Sequence, residues 1–339
     1  FKWSRRFRIM SQLEINNITN RGGDGGPVIA GVSTVSTSAF MVMPSGNTEI
    51  RGAGSGRAVF ARGSNPGSYL NTMDYVTISS TGNAIDFGDS SDNDHFPASC
   101  ASSTRGLIMG GGGNPAEVTL IEYVTISSSG GAQDFGDLRI AYYSSAGLSN
   151  SIRGIIGGGQ SAPSVYNTFT DFVTIATLGD SSFFGNLTAR ANMNQLSAAA
   201  SSTRGLFGGG VNTNLIEFVT ISTGGDAQDF GNLTIEKWMG DGGLSSSTRA
   251  LFAGGYTPGS ILASIDYVTI ATLGNAQDFG DLTTAAWYTA GCASPTRGVW
   301  GGGGSPSRHN VIQYVQIMST GNAIDFGNLL AGRRNIAGA

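Results

Sequence analysis

One phrase returns six times along the chain, and no other feature restricts the fold as much. The aromatic residue of a Tyr/Phe-Val-Thr-Ile phrase (Val-Gln-Ile in the last copy) stands at Tyr75, Tyr123, Phe172, Phe218, Tyr267 and Tyr314, at steps of 48, 49, 46, 49 and 47 residues. Arginine keeps the same register at Arg57, Arg105, Arg153, Arg204, Arg249 and Arg297. An Asp-Phe-Gly phrase follows at 86–88, 134–136, 229–231, 278–280 and 325–327, and the third copy departs from it with Phe183-Phe184-Gly185. A period in the high forties, written in strand-type words, predicts a β-propeller in which each copy is one blade.

Each copy reads as four short strands. The first is a run of small residues such as Ala290–Ala293 or Ser197–Ser201, and the second an Arg-Gly-apolar-apolar run ending in glycines, such as Arg297–Gly302. The third alternates, with Ile121, Tyr123 and Thr125 on one face and Glu122, Val124 and Ile126 on the other. The fourth carries Asp-Phe-Gly. Gly82-Asn83, Gly274-Asn275 and Gly321-Asn322, between third and fourth strands, predict two-residue hairpin turns. The recurring arginine and the recurring aspartate are expected to pair and tie one strand to the next.

The count closes. The first copy has no small-residue strand before Arg57, and the last Asp-Phe-Gly is followed by NLLAGRRNIAGA, which reads like the start of a further copy. Residues 335–339 are therefore expected to supply the innermost strand of the blade built from 57–88, leaving no open edge between first and last blades.

Composition fits this all-β reading. Glycine is 53 of 339 residues while charged residues are 12%, and the glycines lack the every-third spacing of collagen. The net charge of −4 and the absence of a basic stripe argue against nucleic acid as a partner. Two cysteines, Cys100 and Cys292, make no disulfide framework. No apolar run of membrane-spanning length occurs. Lys2, Arg5, Arg6 and Arg8 make residues 1–9 a basic leader or an artefact ahead of a natural start at Met10-Ser11.

The motifs that suggest catalysis do not hold together. The glycines at 110–113 and 301–304 are followed by neither a helix pattern nor a lysine, as a phosphate loop requires. Asp-Phe-Gly without a His-Arg-Asp loop is not a kinase phrase. No Ser-His-Asp arrangement or paired-carboxylate phrase stands out. The reading is non-enzymatic, with no cofactor and no metal.

The unit resembles the kelch repeat over about residues 57–339, through its glycine cluster and its two aromatics, here the Tyr/Phe of the third strand and the Phe of Asp-Phe-Gly. It departs from that family in having Phe where Trp is usual and in its Thr-Arg-Gly phrase, and its first copy lacks the double glycine. The resemblance implies a six-bladed kelch-like propeller of four-stranded blades. The copper oxidases of that group need several His and Tyr ligands at one metal, and His95 and His309 would supply a two-His site only if they met, which their sequence contexts do not suggest. The segments between the glycines and the third strand vary most and are expected to share one face, where binding concentrates on a rigid scaffold. Tyr166, Tyr256, Arg308 and His309 are the candidate contact residues there.

Residues 10–56 stand outside the repeat. They read as a strand at 13–18, a glycine-rich turn at 21–27 and a second strand at 28–35. The phrases ITNRGGDGGP at 18–27 and GVSTVS at 31–36 resemble the N-terminal segment of structural proteins from tailed phages, those of marine cyanobacteria in particular. The repeats resemble those of such virion proteins as well. The resemblance implies a virion-surface protein, a capsid decoration or a tail-fibre knob. Residues 10–56 would anchor it on other capsid or tail proteins, or in a homotrimer, and the propeller would be displayed toward a host-surface glycan or protein. A cellular kelch-like protein- or glycan-binding module is the alternative.

Overall fold

The computed structural model describes residues 56–112, 117–162, 165–188, 194–304 and 307–339. The leader at 1–9, the two expected strands at 13–18 and 28–35, and the whole anchoring segment apart from Gly56 lie outside the described residues.

The repeat folds as read. Six four-stranded antiparallel sheets form a six-bladed β-propeller. Listed from the axis outward, the second blade is Ala98–Ala101, Arg105–Met109, Leu120–Thr125 and Gln133–Asp137. The third to sixth blades repeat this order, from innermost strands Ala146–Ser149, Ser197–Ala200, Gly243–Ser245 and Ala290–Ala293. These strands are built of Ala, Gly, Ser and Cys, with one leucine each in the third and fifth blades (Leu148 and Leu244), as a crowded axis favours. The first blade takes its innermost strand, Ala337–Gly338, from the other end of the chain. Phe60 faces Gly338 and Ala61 faces Ala337, and Ala339 and Val59 exchange main-chain hydrogen bonds of 2.7 and 2.9 Å. The core lies between blades: Phe60, Val76 and Ile78 of the first pack with Val299, Ile312 and Phe326 of the sixth.

In every blade the third-strand aromatic meets the Phe of Asp-Phe-Gly edge to face, from Tyr75–Phe87 at 5.9 Å to Tyr314–Phe326 at 5.8 Å. In the third copy Phe184 takes the buried place, and Phe183 occupies the exposed aspartate position.

The expected arginine–aspartate pair does not form. Each arginine lies over the aromatic ring of its own blade, 4.3 Å away for Arg57 on Tyr75 and 4.9 Å for Arg153 on Phe172. It also donates to the carbonyl of the phrase-ending isoleucine of the next blade: Arg105 to Ile175, Arg153 to Ile221, Arg204 to Ile270, Arg249 to Ile317. The aspartates are exposed on the outer strands. A half-buried guanidinium has a carbonyl and a ring face within reach at the seam, while an ion pair with a carboxylate solvated at the rim would add little.

The Gly-Asn pairs are not two-residue hairpin turns either. Third and fourth strands are joined by longer connections, residues 78–84 in the first blade. The pair reaches across to the preceding blade. Gly82 N donates to Phe326 O at 2.8 Å, Asn328 N donates to Asn83 Oδ1 at 3.0 Å, and Ala84 N donates to Asn328 O at 2.8 Å. Gly274-Asn275 and Gly321-Asn322 do the same to the fourth and fifth blades. This explains the glycine of Asp-Phe-Gly. Gly327 has φ +150°, and a Cβ on it would overlap the Gly82 carbonyl. The other five positions meet the same obstruction from the next blade's turn.

The irregular first copy also has a physical reason. Arg62 occupies the place of the first glycine of the pair and adopts a left-handed φ of +57°. Its fully buried guanidinium crosses to the second blade, where it pairs with Glu122 and donates to Gly110 O at 3.1 Å. The ion pair and its hydrogen bonds offset a backbone conformation that costs a non-glycine residue about 1–2 kcal/mol.

Candidate binding face

Every blade sends two kinds of connection to the same face: the loop from second to third strand, and the chain from its outer strand to the next innermost strand. Main-chain bonds lace the latter together around the axis. Phe96 N donates to Asn335 O, Ser144 N to Phe96 O, Gln195 N to Ser144 O, Met239 N to Gln195 O and Asn335 N to Tyr288 O, at 2.9–3.2 Å. The cavity left inside, lined in part by Ser145, Gln195, Asp241 and Asn335, has about 20 Å³, room for one water. Deeper along the axis, Ser99 Oγ donates to Asp241 Oδ2 at 2.6 Å and accepts from Gly338 N at 3.0 Å. The axis of this face therefore has no room for a ligand larger than water, and only its outer surface could contact one.

Two-stranded ribbons rise from the first, third and fifth blades: 64–65 with 68–69, 160–162 with 165–166, and 256–257 with 260–261. Asn65-Pro66-Gly67-Ser68 and Thr257-Pro258-Gly259-Ser260 turn the first and last. Across the face runs a chain of rings. Tyr69 stacks on His95 (4.4 Å, 6°), His95 touches Phe96 (4.5 Å), and Phe96 meets Tyr288 (4.9 Å). Tyr288 stacks on Trp287 (4.0 Å), Trp287 on Tyr256 (4.7 Å), and Tyr256 touches Trp238 (5.1 Å). All but the buried Tyr288 are half-buried. The indole N–H groups are engaged, Trp287 with Met239 O at 3.1 Å and Trp238 with Asn212 Oδ1 at 3.3 Å. The track is consequently held in place before any partner arrives.

The four residues expected from the sequence separate. Tyr256 joins the aromatic track. Arg308 and His309 lie together at the seam of the sixth and first blades, where Arg308 Nε donates to Ser64 O at 3.0 Å. Tyr166 packs against the core between the third and fourth blades and makes no ring contact among the described residues. Sequence reasoning missed Tyr69, His95, Phe96, Trp238, Trp287 and Tyr288 as contact residues. Five of the six come from the outer-to-inner connections rather than from the variable loops. The available signal was the recurrence of aromatics soon after Asp-Phe-Gly, at His95-Phe96, Tyr142-Tyr143, Trp238 and Trp287-Tyr288.

Beneath this face, one third-strand position is buried in every blade: Asp74, Glu122, Asp171, Glu217, Asp266 and Gln313. Arg333 pairs with Asp74 at 3.1 Å, Arg139 with Asp171 at 2.6 Å and Lys237 with Asp266 at 3.2 Å. Glu122 is pushed up by burial, but Arg62 and the Ser90 and Ser91 donors outweigh this and hold it below the usual range. The sixth blade alone has a neutral residue, Gln313, served by Thr283 N and Oγ1 at 2.7 and 2.8 Å. Among the described residues no cluster of His, Cys, Asp and Glu is arranged to hold a metal ion.

No protein-family model matches the chain, and no curated protein matches it.

Proposed function

We propose that the chain is a non-enzymatic structural protein of a tailed-phage particle. It displays a rigid propeller at the virion surface, as a capsid decoration or tail-fibre knob, and adheres to a host-surface glycan or protein through the loop face. One observation carries the adhesive role: the seven-ring track from Tyr69 to Trp238, half-buried and fixed by its own stacking. Half-exposed Trp and Tyr rings preorganised on a rigid scaffold are what energetically dominant contact residues look like. The virion assignment rests on the resemblance of residues 10–36 and of the repeats. Residues 10–56 are the proposed attachment to other virion proteins or to two further copies.

The test is binding of the purified chain to cyanobacterial cell envelopes, wild type against Tyr256→Ala/Trp287→Ala. The wild type is expected to bind and the double variant to lose at least about tenfold, since a ring contact of this kind supplies at least ~1.4 kcal/mol. Equal binding by both would remove the aromatic track from the account.

A further inference from the structure

The twelve cations among the described residues divide by role, and two are left over. Arg57, Arg105, Arg153, Arg204, Arg249 and Arg297 hold the blade seams through isoleucine carbonyls. Arg62, Arg139, Lys237 and Arg333 pair with buried carboxylates. Arg308 and Arg334 have no carboxylate partner among the described residues, and both belong to the loop face. They converge on one residue, Ser64. Its carbonyl accepts from Arg308 Nε at 3.0 Å, and its backbone pairs with that of Arg334 at 2.9 and 3.2 Å. Burial and then the charge of Arg334 lower the pKa of Arg308. Arg334 Nε is buried without a hydrogen-bond partner, and its guanidinium lies 6.0 Å from the Tyr288 ring. Two cations that feel each other's charge and have no carboxylate partner among the described residues favour an anion, on a protein that is acidic overall.

Beside them is a groove of about 490 Å³ lined by Asn65, Ser68, Tyr69, Asn93 and Arg308, within the size range of small-ligand sites. Tyr69 is its only aromatic wall, held flat by the stacked His95 behind it. Its other side chains are amides and hydroxyls, which offer no apolar pockets of the kind that peptide side chains fill.

We propose that this groove binds an acidic saccharide. A sugar carboxylate engages the Arg308 guanidinium, with the charge of Arg334 reinforcing it from beside the groove; the sugar ring lies against Tyr69, and hydroxyls bond to Asn65, Ser68 and Asn93. The proposal rests on the reading of the loop face as the binding face and adds the charge and chemical class of the ligand.

The test is calorimetric titration of the full chain with trigalacturonate and with 3′-sialyllactose, each beside its uncharged methyl ester, and with a hexaglutamate peptide. The acids are expected to bind at least about tenfold more tightly than their esters, and 0.5 M NaCl to weaken them severalfold. Arg308→Gln should lose about tenfold, as should Tyr69→Ala, and Arg334→Gln, which removes charge but no contact, about two- to threefold. Leu273→Ala, exposed in the connection between third and fourth strands of the fifth blade, should bind like the wild type. Ester binding as tight as the acid, no saccharide binding, or tighter binding of the peptide would each overturn the proposal. The ester and salt comparisons use the wild type alone, so they decide the matter even if a variant fails to fold. A chain that binds cell envelopes but no acidic saccharide loses this inference and keeps the broader reading. A chain that binds acidic saccharide but not envelopes does the reverse.

Discussion

Arg297 Nη1 donates to the carbonyl of Ile78 at 2.9 Å, joining the last blade to the first across 219 residues of chain. The same bond joins every other pair of neighbouring blades, so the closing seam is built like the rest. It is closed at three radii: by the strand Ala337–Gly338 at the axis, by this arginine, and by Gly82 N on Phe326 O at the rim. A ring with equivalent seams has no open seam between first and last blades, and the free edges that remain are those of the short outer strands.

Removing residues 335–339 should open the ring. The truncation strips the first blade of its innermost strand and removes the buried Ile336. We expect a loss of at least about 3 kcal/mol, since a buried isoleucine alone is worth ~2–5 kcal/mol. Chemical denaturation followed by circular dichroism measures this. Unchanged stability would mean that the axis strand is not what closes the fold.

Gly327 and Gly82 face each other across the closing seam, yet they should respond differently to alanine. A Cβ on Gly327 overlaps the Gly82 carbonyl at a left-handed φ, whereas a Cβ on Gly82 meets nothing within 4 Å. Gly327→Ala should cost about 2–4 kcal/mol and Gly82→Ala less than about 1 kcal/mol. Thermal melts of the two variants side by side decide it.

The neutral sixth blade predicts how the charged ones tolerate change. Lys237→Ala should cost about 3–5 kcal/mol, because it leaves Asp266 buried without its cation. Adding Asp266→Gln should recover most of that loss. Thr234 N and Oγ1 already serve Asp266 as Thr283 serves Gln313. A double variant no more stable than the single one would contradict the comparison.

The fold was legible in the sequence because six copies average out local ambiguity. Any one alternating phrase such as Leu120–Thr125 is weak, but six in register fix blade number, strand order and even the C-terminal closure. What escaped were contacts between copies. A strand pattern says which residues alternate, not that Gly82-Asn83 turns outward to the neighbouring blade or that Arg105 reaches past its own aspartate to Ile175. The site was half legible for the same reason. Variable loops gave Tyr256 and Arg308. The track through Phe96, Trp287 and Tyr288 is assembled by the ring itself, from the outer-to-inner connections that lead into the second and sixth blades, far apart in sequence.

Two adjacent groups should give opposing pH dependences. Asp94 is buried with both carboxylate oxygens lacking a partner; burial, then the charge of Asp92, push it up to about 7 against the pull of Arg62. The native state therefore holds an extra proton between pH about 4 and 7. The stability linked to Asp94 is present below that window and lost as pH rises through it. His95 is lowered to about 4 by burial, so its contribution is present above about pH 6.5 and lost as pH falls toward 4. Asp94→Asn should remove only the first effect, stabilising the protein by about 1–2 kcal/mol at pH 8 and by almost nothing at pH 4. A variant less stable at pH 8 than the wild type would contradict this assignment.

The proposed role requires that this propeller be carried on a virion. Quantitative mass spectrometry of purified phage particles, counting this chain against the major capsid protein, tests it most directly. The account predicts that the chain is present in fixed stoichiometry. Hundreds of copies would mark a shell decoration, and a small multiple of three or six a tail or fibre component. Absence from the particle would contradict the account and leave a free binding module with the same loop face.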